Sequence, residues 1–189
     1  MTHKNTPQII GLAGTFAAGK DTISDALGKD FGYHHISTGD MVRELAQKRH
    51  SSVERPILYE TAQELRREEG PGALVIEALK HPDRPLVITG LRSLGEANEI
   101  KKAGGLLVFV DAPIKIRYER MQSRARDEET RLSLEAFKAF EETELCSGES
   151  DSDFNIRGIG EMSDVKIDSS RELNEFISDA YTALGLHKG

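Results

Sequence analysis

The sequence predicts an α/β domain of three layers, in which a mainly parallel five-stranded sheet carries helices on both faces. Short β-like runs alternate with longer stretches of helical periodicity, an order typical of parallel sheets. The run LLVFV at 106–110 is apolar throughout, as expected for a strand in the middle of such a sheet. No internal repeat, low-complexity tract or long linker divides the 189 residues, so we expect one domain over 1–189.

The first half of the chain supplies three strands and the helices between them. Apolar and β-branched runs predict strands at 8–13, 33–36 and 86–89. Apolar residues at helical spacing predict helices over 20–30, 38 to about 50, 51 to about 69, and 73–80. The spacing of Ser51 and Glu54 fits a capping box, in which the two side chains bond N–H groups at the start of a helix.

The second half continues the alternation. Ser93 and Glu96 form a second capping-box pattern, and the helix that they start is expected to end at Gly104. After the strand 106–110 we expect a helix from about residue 113, a strand at 165–167 and a final helix capped by Ser169 and Glu172. Ligands of parallel sheets bind beyond the carboxyl ends of the strands, so functional side chains are expected in the loops that follow residues 13, 36, 89 and 110.

Composition limits the kinds of molecule to which the protein is expected to bind. The net charge of −7 argues against non-specific binding of nucleic acid, which needs a basic face, but it allows a small polyanion in one basic pocket. No apolar run approaches the ~18 residues of a membrane span, and the first seven residues lack the apolar core of a signal peptide. Cys146 is the only cysteine, so no intrachain disulfide can form. We expect a cytoplasmic protein without nucleic-acid or membrane partners, and the sequence leaves its oligomeric state open.

The loop after the first strand fits the phosphate-binding pattern G-x-x-x-x-G-K. It reads GTFAAGK at 14–20 and lies between a strand and a helix, as the motif requires. Its glycines let backbone N–H groups converge on phosphate oxygens, and the helix N-terminus adds positive potential. The alternative is an ordinary glycine turn that leads into a helix. The residues predicted to hold a donor nucleotide are Gly14, Phe16, Ala17, Ala18, Gly19, Lys20, Asp21 and Thr22.

The position after Lys20 departs from the pattern. A Ser or Thr there normally supplies a hydroxyl to Mg²⁺, whereas this chain has Asp21 followed by Thr22. A carboxylate is a competent hard ligand for Mg²⁺. The metal ligand is therefore expected to be Asp21 or Thr22, and the sequence leaves the choice open.

A second polar loop, S-T-G-D-M-V-R at 37–43, follows the second strand. Small polar residues at the start of a helix can hold a base or ribose, and Arg43 can reach a phosphate from one turn along. The alternative is a plain N-cap by Ser37 or Thr38 beside a solvated arginine. The string resembles the acceptor site of adenylate kinase and other nucleoside monophosphate kinases, where S-T-G-D-x-x-R also follows the second strand.

The same resemblance gives a role to Arg92, which follows the third strand. In those kinases an arginine just beyond this strand binds the acceptor phosphate. The alternative for Arg92 is that it is a surface arginine beside a helix cap. They often carry an acidic residue at the strand end, where this chain has Thr89.

Arginines cluster after the fourth strand. Arg117, Arg120 and Arg124 share one face of a helix at i, i+3 and i+7, and Arg126 follows. They form either a solvated face with ion pairs, worth ~0.5 kcal/mol each, or a lid that closes over transferring phosphates. The pattern R-Y-E-R-x-x-x-R-x-R-D at 117–127 is similar to that of a branch identified as adenylate-kinase-related or dephospho-CoA-kinase-like AAA family ATPases.

Over nearly the whole chain these segments resemble P-loop kinases of the nucleoside monophosphate kinase fold. The G-K-D-T variant is itself similar to that of phage deoxynucleoside monophosphate kinases. The resemblance implies an acceptor-binding helical region at about 38–84 and a small helical lid at about 115–150. It also implies an enzyme that uses ATP and Mg²⁺ to phosphorylate a small-molecule acceptor, with a (deoxy)nucleoside monophosphate favoured.

The roles that follow from this resemblance are shared among few side chains. The catalytic set is Lys20, Arg92, Arg120 and Arg124, with Arg120 also at the donor nucleotide. The acceptor set is Thr38, Asp40, Arg43, Arg92, Arg124 and Arg126. One alternative acceptor is dephospho-CoA, phosphorylated on a ribose hydroxyl, although that family usually shows D-x-D where this chain has T-G-D at 38–40. Another alternative is a nucleotide-binding regulatory NTPase, although a switch GTPase should carry N-K-x-D, which is absent from the sequence.

Overall fold

The computed structural model describes residues 6–123, 132–148 and 150–188, and it confirms the expected α/β architecture. The strands are β1 (Ile9–Gly14), β2 (His34–Ser37), β3 (Leu86–Thr89), β4 (Leu106–Asp111) and β5 (Val165–Asp168). They lie in the spatial order β2-β3-β1-β4-β5, and every neighbouring pair is parallel. The helices of the described residues are α1 (Lys20–Phe31), α2 (Thr38–His50), α3 (Arg55–Glu69), α4 (Ala73–Leu79), α5 (Leu94–Lys102), α6 (Ile114–Ser123), α7 (Leu134–Leu145), α8 (Ile156–Met162) and α9 (Leu173–Ala183).

Helices cover both faces of the sheet, as the apolar strands require. On one face α1 and α9 pack against alternate residues of β1 and β4, such as Leu12 and Val108. On the other face α4, α5 and α8 pack against the residues in between, such as Ala13 and Leu107. Because β1 lies in the centre of the sheet, the loop that follows it emerges in the middle of the carboxyl edge.

A helical unit formed by α2, α3 and α4 fills the connection between β2 and β3. It has its own small core, in which Val42, Ala62, Leu65 and Leu74 are buried. The unit corresponds to the expected acceptor-binding region at about 38–84. Since it begins directly after β2, its first residues lie at the same edge of the sheet as the loop after β1.

The capping box at Ser93 and Glu96 forms as predicted, and it also anchors this helical unit. The Ser93 hydroxyl accepts the Glu96 N–H and donates to the Pro71 carbonyl (3.0 Å), while Glu96 Oε2 accepts the Ser93 N–H. Gly95 lies so close to Pro71 that a Cβ there would overlap it. The start of α5 therefore fixes the turn between α3 and α4.

Two other predicted caps are wrong. Ser51 adopts a left-handed conformation at the end of α2, and α3 starts after Glu54 with Pro56 in its first turn, which needs no side-chain cap. The final helix begins later than expected, and Ser169 instead receives a hydrogen bond from Arg120. Both patterns have the spacing of a cap, but turn geometry and a distant arginine determine what these side chains do.

Replacing Ser93 by Ala should lower the free energy of unfolding by about 2 kcal/mol, from the lost cap and the unpaired Pro71 carbonyl. Ser133, which caps α7 at an exposed position, is the matched control, and Ser133→Ala should cost no more than about 1 kcal/mol. Urea unfolding of the two variants measures the difference. Equal losses would show that the contact with Pro71 contributes nothing.

Candidate functional site

The loop at 14–19 forms an open cradle of backbone groups. Gly14 and Gly19 both have positive φ, and a Cβ on Gly14 would overlap the Val110 carbonyl of the neighbouring strand. Ala17 also has a positive φ of 60°, which bends the loop, and Ala18 is buried in the core. No side chain of the described residues caps the start of α1, so the N–H groups of its first turn face the loop. This is the arrangement that binds phosphate.

Lys20 holds its amino group inside the cradle. Its Nζ donates to the carbonyls of Gly14 (3.0 Å) and Thr15 (2.8 Å). Burial lowers the pKa of Lys20 to about 8, and the positive charge of Arg92 contributes further. An incoming polyphosphate would supply the negative charge that this site lacks.

The cradle is tied to the end of β4 by Asp111, a residue that the sequence did not single out. Its carboxylate accepts a 2.6 Å hydrogen bond from the Thr15 hydroxyl and one from the Ala112 N–H. The buried Arg117 lies 3.5 Å from the same carboxylate and also donates to the Phe16 carbonyl. Asp111 and Arg117 therefore hold the loop in position through these hydrogen bonds.

Helix α7 packs directly on the cradle. The Phe16 ring contacts the rings of Phe137 and Phe140, with centroids 6.0 and 5.7 Å apart, and Arg117 forms a buried ion pair with Glu141. Phe16 thus serves as a contact between the loop and the region expected to form a lid. Arg117 acts as a structural group here.

A cavity of about 380 Å³ opens between the cradle, the helical unit and α7. It is lined by apolar and aromatic side chains together with four arginine side chains. The aromatic members are Phe16, Tyr59, Phe140 and Phe154, and the cationic members are Arg43, Arg55, Arg66 and Arg92. Such a lining suits an acceptor with a flat apolar part and at least one anionic group.

The structure brings part of the predicted acceptor set to this cavity. Thr38 is buried against Gly90, which has a φ of +87° and where a Cβ would lie 2.6 Å from the Thr38 hydroxyl, and both residues line the cavity. Arg43 lines it too, but its guanidinium pairs at 2.7 Å with Asp40. The Asp40 carboxylate is exposed and lies outside the described lining.

Arg92 lies between the cavity and the cradle. It lines the cavity, and its charge acts on Lys20. Its Nη1 is 2.6 Å from a carboxylate oxygen of Glu144 on α7, which is 14% exposed. Among the described residues that line the cavity, Glu144 is the only carboxylate.

The residues predicted to bind the donor nucleotide lie on more than one side of the cradle. Arg120 donates to the hydroxyl and carbonyl of Ser169, and it borders a small pocket of about 200 Å³ beside Gly19 and Thr22. The Asp21 side chain is exposed, and its charge raises the pKa of Lys20. Arg124 and Arg126, both predicted to reach the phosphates, lie outside the described residues.

Comparison with known proteins agrees with this geometry. Residues 10–144 match a family model described as an AAA domain. The chain belongs to this AAA-domain family. Curated relatives include a UPF0200 protein of Pyrobaculum aerophilum, which is 32% identical over 147 residues, covering 76% of this chain and 80% of that protein. A UPF0200 protein of Methanococcus vannielii is 28% identical over 184 residues, covering 94% of this chain and 95% of that protein.

One relative is much longer than this AAA-domain chain. The UPF0200/UPF0201 protein of Archaeoglobus fulgidus is 26% identical over 179 residues, which is 90% of this chain but 53% of that protein. The chain therefore spans about half the length of that relative.

Solved structures with the same architecture include two kinases. A gluconokinase from Sinorhizobium meliloti has a TM-score of 0.59 and 18% identity, covering 96% of this chain and 94% of its own. A shikimate kinase from Bacteroides thetaiotaomicron has a TM-score of 0.62 and 13% identity, covering 95% and 99%. At these identities the likeness concerns the fold alone, which is that of P-loop kinases. In the described parts of the chain, no helix combines the length and hydropathy needed to span a bilayer.

Sequence reasoning missed four residues of the site. Arg55 stacks on Phe140, with its guanidinium carbon 4.7 Å from the ring centroid, and Arg66 lies buried in the same cavity wall. Glu144 and Asp111 are also absent from the predicted set. Only the position of Asp111 at the end of a strand could have been recognised, because the other three lie on helices of mixed charge.

When a nucleotide polyphosphate binds above pH 8, the protein should take up protons from solution. With a pKa of about 8, Lys20 is largely neutral at pH 9 in the free protein, and bound phosphates should raise its pKa and recharge it. Affinity for an ATP analogue should therefore fall as the pH rises through about 8. Calorimetry at pH 8–9 in buffers of different ionisation enthalpy should detect uptake of about half a proton or more.

Lys20→Met tests the origin of that proton. The variant should lose the proton uptake, whereas Lys29→Met, at an exposed position of the same helix, should keep it. Equal uptake by the wild type and Lys20→Met would assign the proton to another group.

Proposed function

We propose that the protein is an ATP- and Mg²⁺-dependent kinase that transfers the γ-phosphoryl group to the phosphate of a nucleotide, a nucleoside or deoxynucleoside monophosphate. The observation that carries the proposal is the position of Arg92. This one guanidinium lines the cavity and acts electrostatically on Lys20, so a phosphate bound there would lie near the end of a polyphosphate in the cradle. Phosphoryl transfer needs mainly such positioning and neutralisation of charge.

The donor nucleotide would extend from the cradle towards the small pocket beside Gly19 and Thr22. That pocket combines the apolar side chains Leu173 and Phe176 with the cations Arg120 and Arg171. A planar base can stack on a guanidinium, and a ribose can accept its hydrogen bonds. We therefore propose that Arg120 binds the donor nucleotide.

Asp21 fits the role of Mg²⁺ ligand better than Thr22. Its carboxylate is exposed and close enough to Lys20 to affect the pKa of the amine, whereas Thr22 borders the pocket with Arg120. Mg²⁺ commonly binds through one or two carboxylates together with substrate phosphates and water. When bound, the ion would neutralise charge on the transferring phosphates.

A phosphate acceptor is favoured over a hydroxyl acceptor because the described lining of the cavity offers no unpaired carboxylate that could act as a base. A hydroxyl must lose its proton, and a nearby carboxylate usually takes it. Of the carboxylates described here, Glu144 is engaged by Arg92, and Asp40 is exposed and paired with Arg43. A phosphate oxygen is already anionic and needs no base, and the arginines of the cavity suit it. This argues against dephospho-CoA as the acceptor.

The proposal is tested by incubating the purified protein with ATP, Mg²⁺ and a panel of ribo- and deoxynucleoside monophosphates, with dephospho-CoA, gluconate and shikimate as comparison acceptors. We expect turnover with at least one monophosphate and none with the comparison acceptors. Lys20→Met should lower kcat by roughly 10²- to 10³-fold or more, because the amine stabilises charge that develops during transfer. Thermal melts should show that its fold is intact.

Lys29→Met is the matched control for this assay and should retain full activity. Turnover restricted to dephospho-CoA or a sugar acid would contradict the proposed acceptor. Wild-type turnover by Lys20→Met would contradict the assignment of the cradle.

A further inference from the structure

Arg66 has a donor that the protein itself does not use. Its side chain is 2% exposed, and its Nε and Nη2 both donate to Oε1 of the fully buried Glu96, at 3.3 and 2.7 Å. Its Nη1 is buried and has no hydrogen-bond partner among the described residues. A buried N–H group without a partner costs about 1–3 kcal/mol, so native structures rarely retain one without a purpose.

The residue that carries the unused donor lines the acceptor cavity. Arg66 lines that cavity, and its guanidinium carbon lies 5.4 Å from the centroid of the Phe154 ring. The guanidinium carbon of Arg92 lies at the same distance from the same ring. Both guanidinium groups therefore lie close to the same aromatic ring of the cavity wall.

In this structure the anion beside Arg92 is the Glu144 carboxylate. This carboxylate holds Arg92 at 2.6 Å but does not satisfy Nη1 of Arg66. A phosphate has more acceptor oxygens than a carboxylate and can bind two guanidinium groups at once. An incoming phosphate could thus displace Glu144 from Arg92 and also satisfy Arg66.

We propose that Arg66 is a ligand of the acceptor's phosphate, acting together with Arg92, and that Glu144 occupies Arg92 until the acceptor binds. The inference rests on the proposed function and names the groups that receive the acceptor. It assigns two roles to Arg66, a structural one through Glu96 and a binding one through Nη1.

The test separates these two roles by using Arg66→Lys. A lysine can keep the charge pair with Glu96, but it has no second nitrogen to direct into the cavity. Affinities are measured by calorimetry with the cradle filled by a non-hydrolysable ATP analogue. The probes are AMP, GMP, CMP and UMP, each compared with its own nucleoside.

Arg66→Lys should lower the affinity for the monophosphates by roughly 10- to 100-fold, the loss expected for one hydrogen bond to a charged group. The affinity for the nucleosides should not fall. Arg67→Lys, at the exposed neighbouring position on α3, should change neither affinity. Unchanged monophosphate affinity in a folded Arg66→Lys variant overturns the inference. An equal loss for monophosphates and nucleosides also overturns it, because that pattern indicates a collapsed cavity.

Two further measurements keep the inference testable. If Arg66→Lys does not fold, the double variant Arg66→Met/Glu96→Gln removes both charges of the buried pair and should show the same selective loss. A crystal structure of the wild type with a bound monophosphate should place a phosphate oxygen within 3.5 Å of Nη1, and a phosphate without that contact contradicts the inference.

The inference and the proposed function can fail separately. If no monophosphate binds to the wild type, the proposed acceptor is wrong, and inorganic phosphate becomes the probe with the ATP analogue still bound. Phosphate binding that is weakened by Arg66→Lys and not by Arg67→Lys then supports an anion site at Arg66. Phosphate binding that is equal in the two variants rejects that site.

Discussion

The buried carboxylate of Glu96 is the interaction on which the geometry of the cavity depends. One oxygen receives Arg66, and the other receives the backbone N–H groups of Arg92 and Ser93, at 2.7 and 3.3 Å. A fully buried charge is tolerated only when it is paired and hydrogen-bonded, as this one is. Through it, the start of α5 fixes the backbone that carries Arg92 and the side chain of Arg66. The two arginines are therefore positioned before any ligand arrives.

This arrangement explains how an acidic protein can bind anionic ligands. The net charge is −7, yet four arginines line one cavity, and three of them pair with Asp40, Glu96 or Glu144. These carboxylates offset most of the positive charge that lines the cavity. In the cradle beside it, burial and the charge of Arg92 lower the pKa of Lys20 to about 8, and the nearby carboxylates of Asp21 and Glu144 offset this only in part. Bound phosphates would bring negative charge to both places, and Arg92, whose charge already acts on Lys20, links the two sites electrostatically.

The sheet and the cradle could be predicted from local sequence because each depends on a short pattern. The run at 106–110 and the glycines of the loop at 14–19 leave few alternatives, and the structure confirms the parallel five-stranded sheet. Helix α8 was missed because it has only seven residues and contains Gly158 and Gly160, which usually disfavour a helix. The packing favours glycine at Gly160, because a Cβ would lie 3.1 Å from the Phe109 ring.

The rest of the site depends on contacts between residues far apart in sequence. Arg66 lies in the stretch QELRREE, which has the composition of a solvated helix, and only its pairing with Glu96, thirty positions away, shows that it is buried. The same holds for Arg92 and Glu144. Ser169 has the spacing of a cap, but Arg120 engages its side chain. Such pairings follow from the tertiary fold, and no periodicity in the sequence indicates them.

The central claim is that the acceptor atom is a phosphate oxygen held beside the cradle. Phosphorus NMR of the reaction mixture tests it directly, because the product of such a transfer contains a new phosphoanhydride bond. We expect the phosphomonoester signal of the added nucleotide to be lost and coupled diphosphate signals to grow by two diphosphates for each ATP consumed. A new uncoupled phosphomonoester signal would instead identify a hydroxyl acceptor and contradict this assignment.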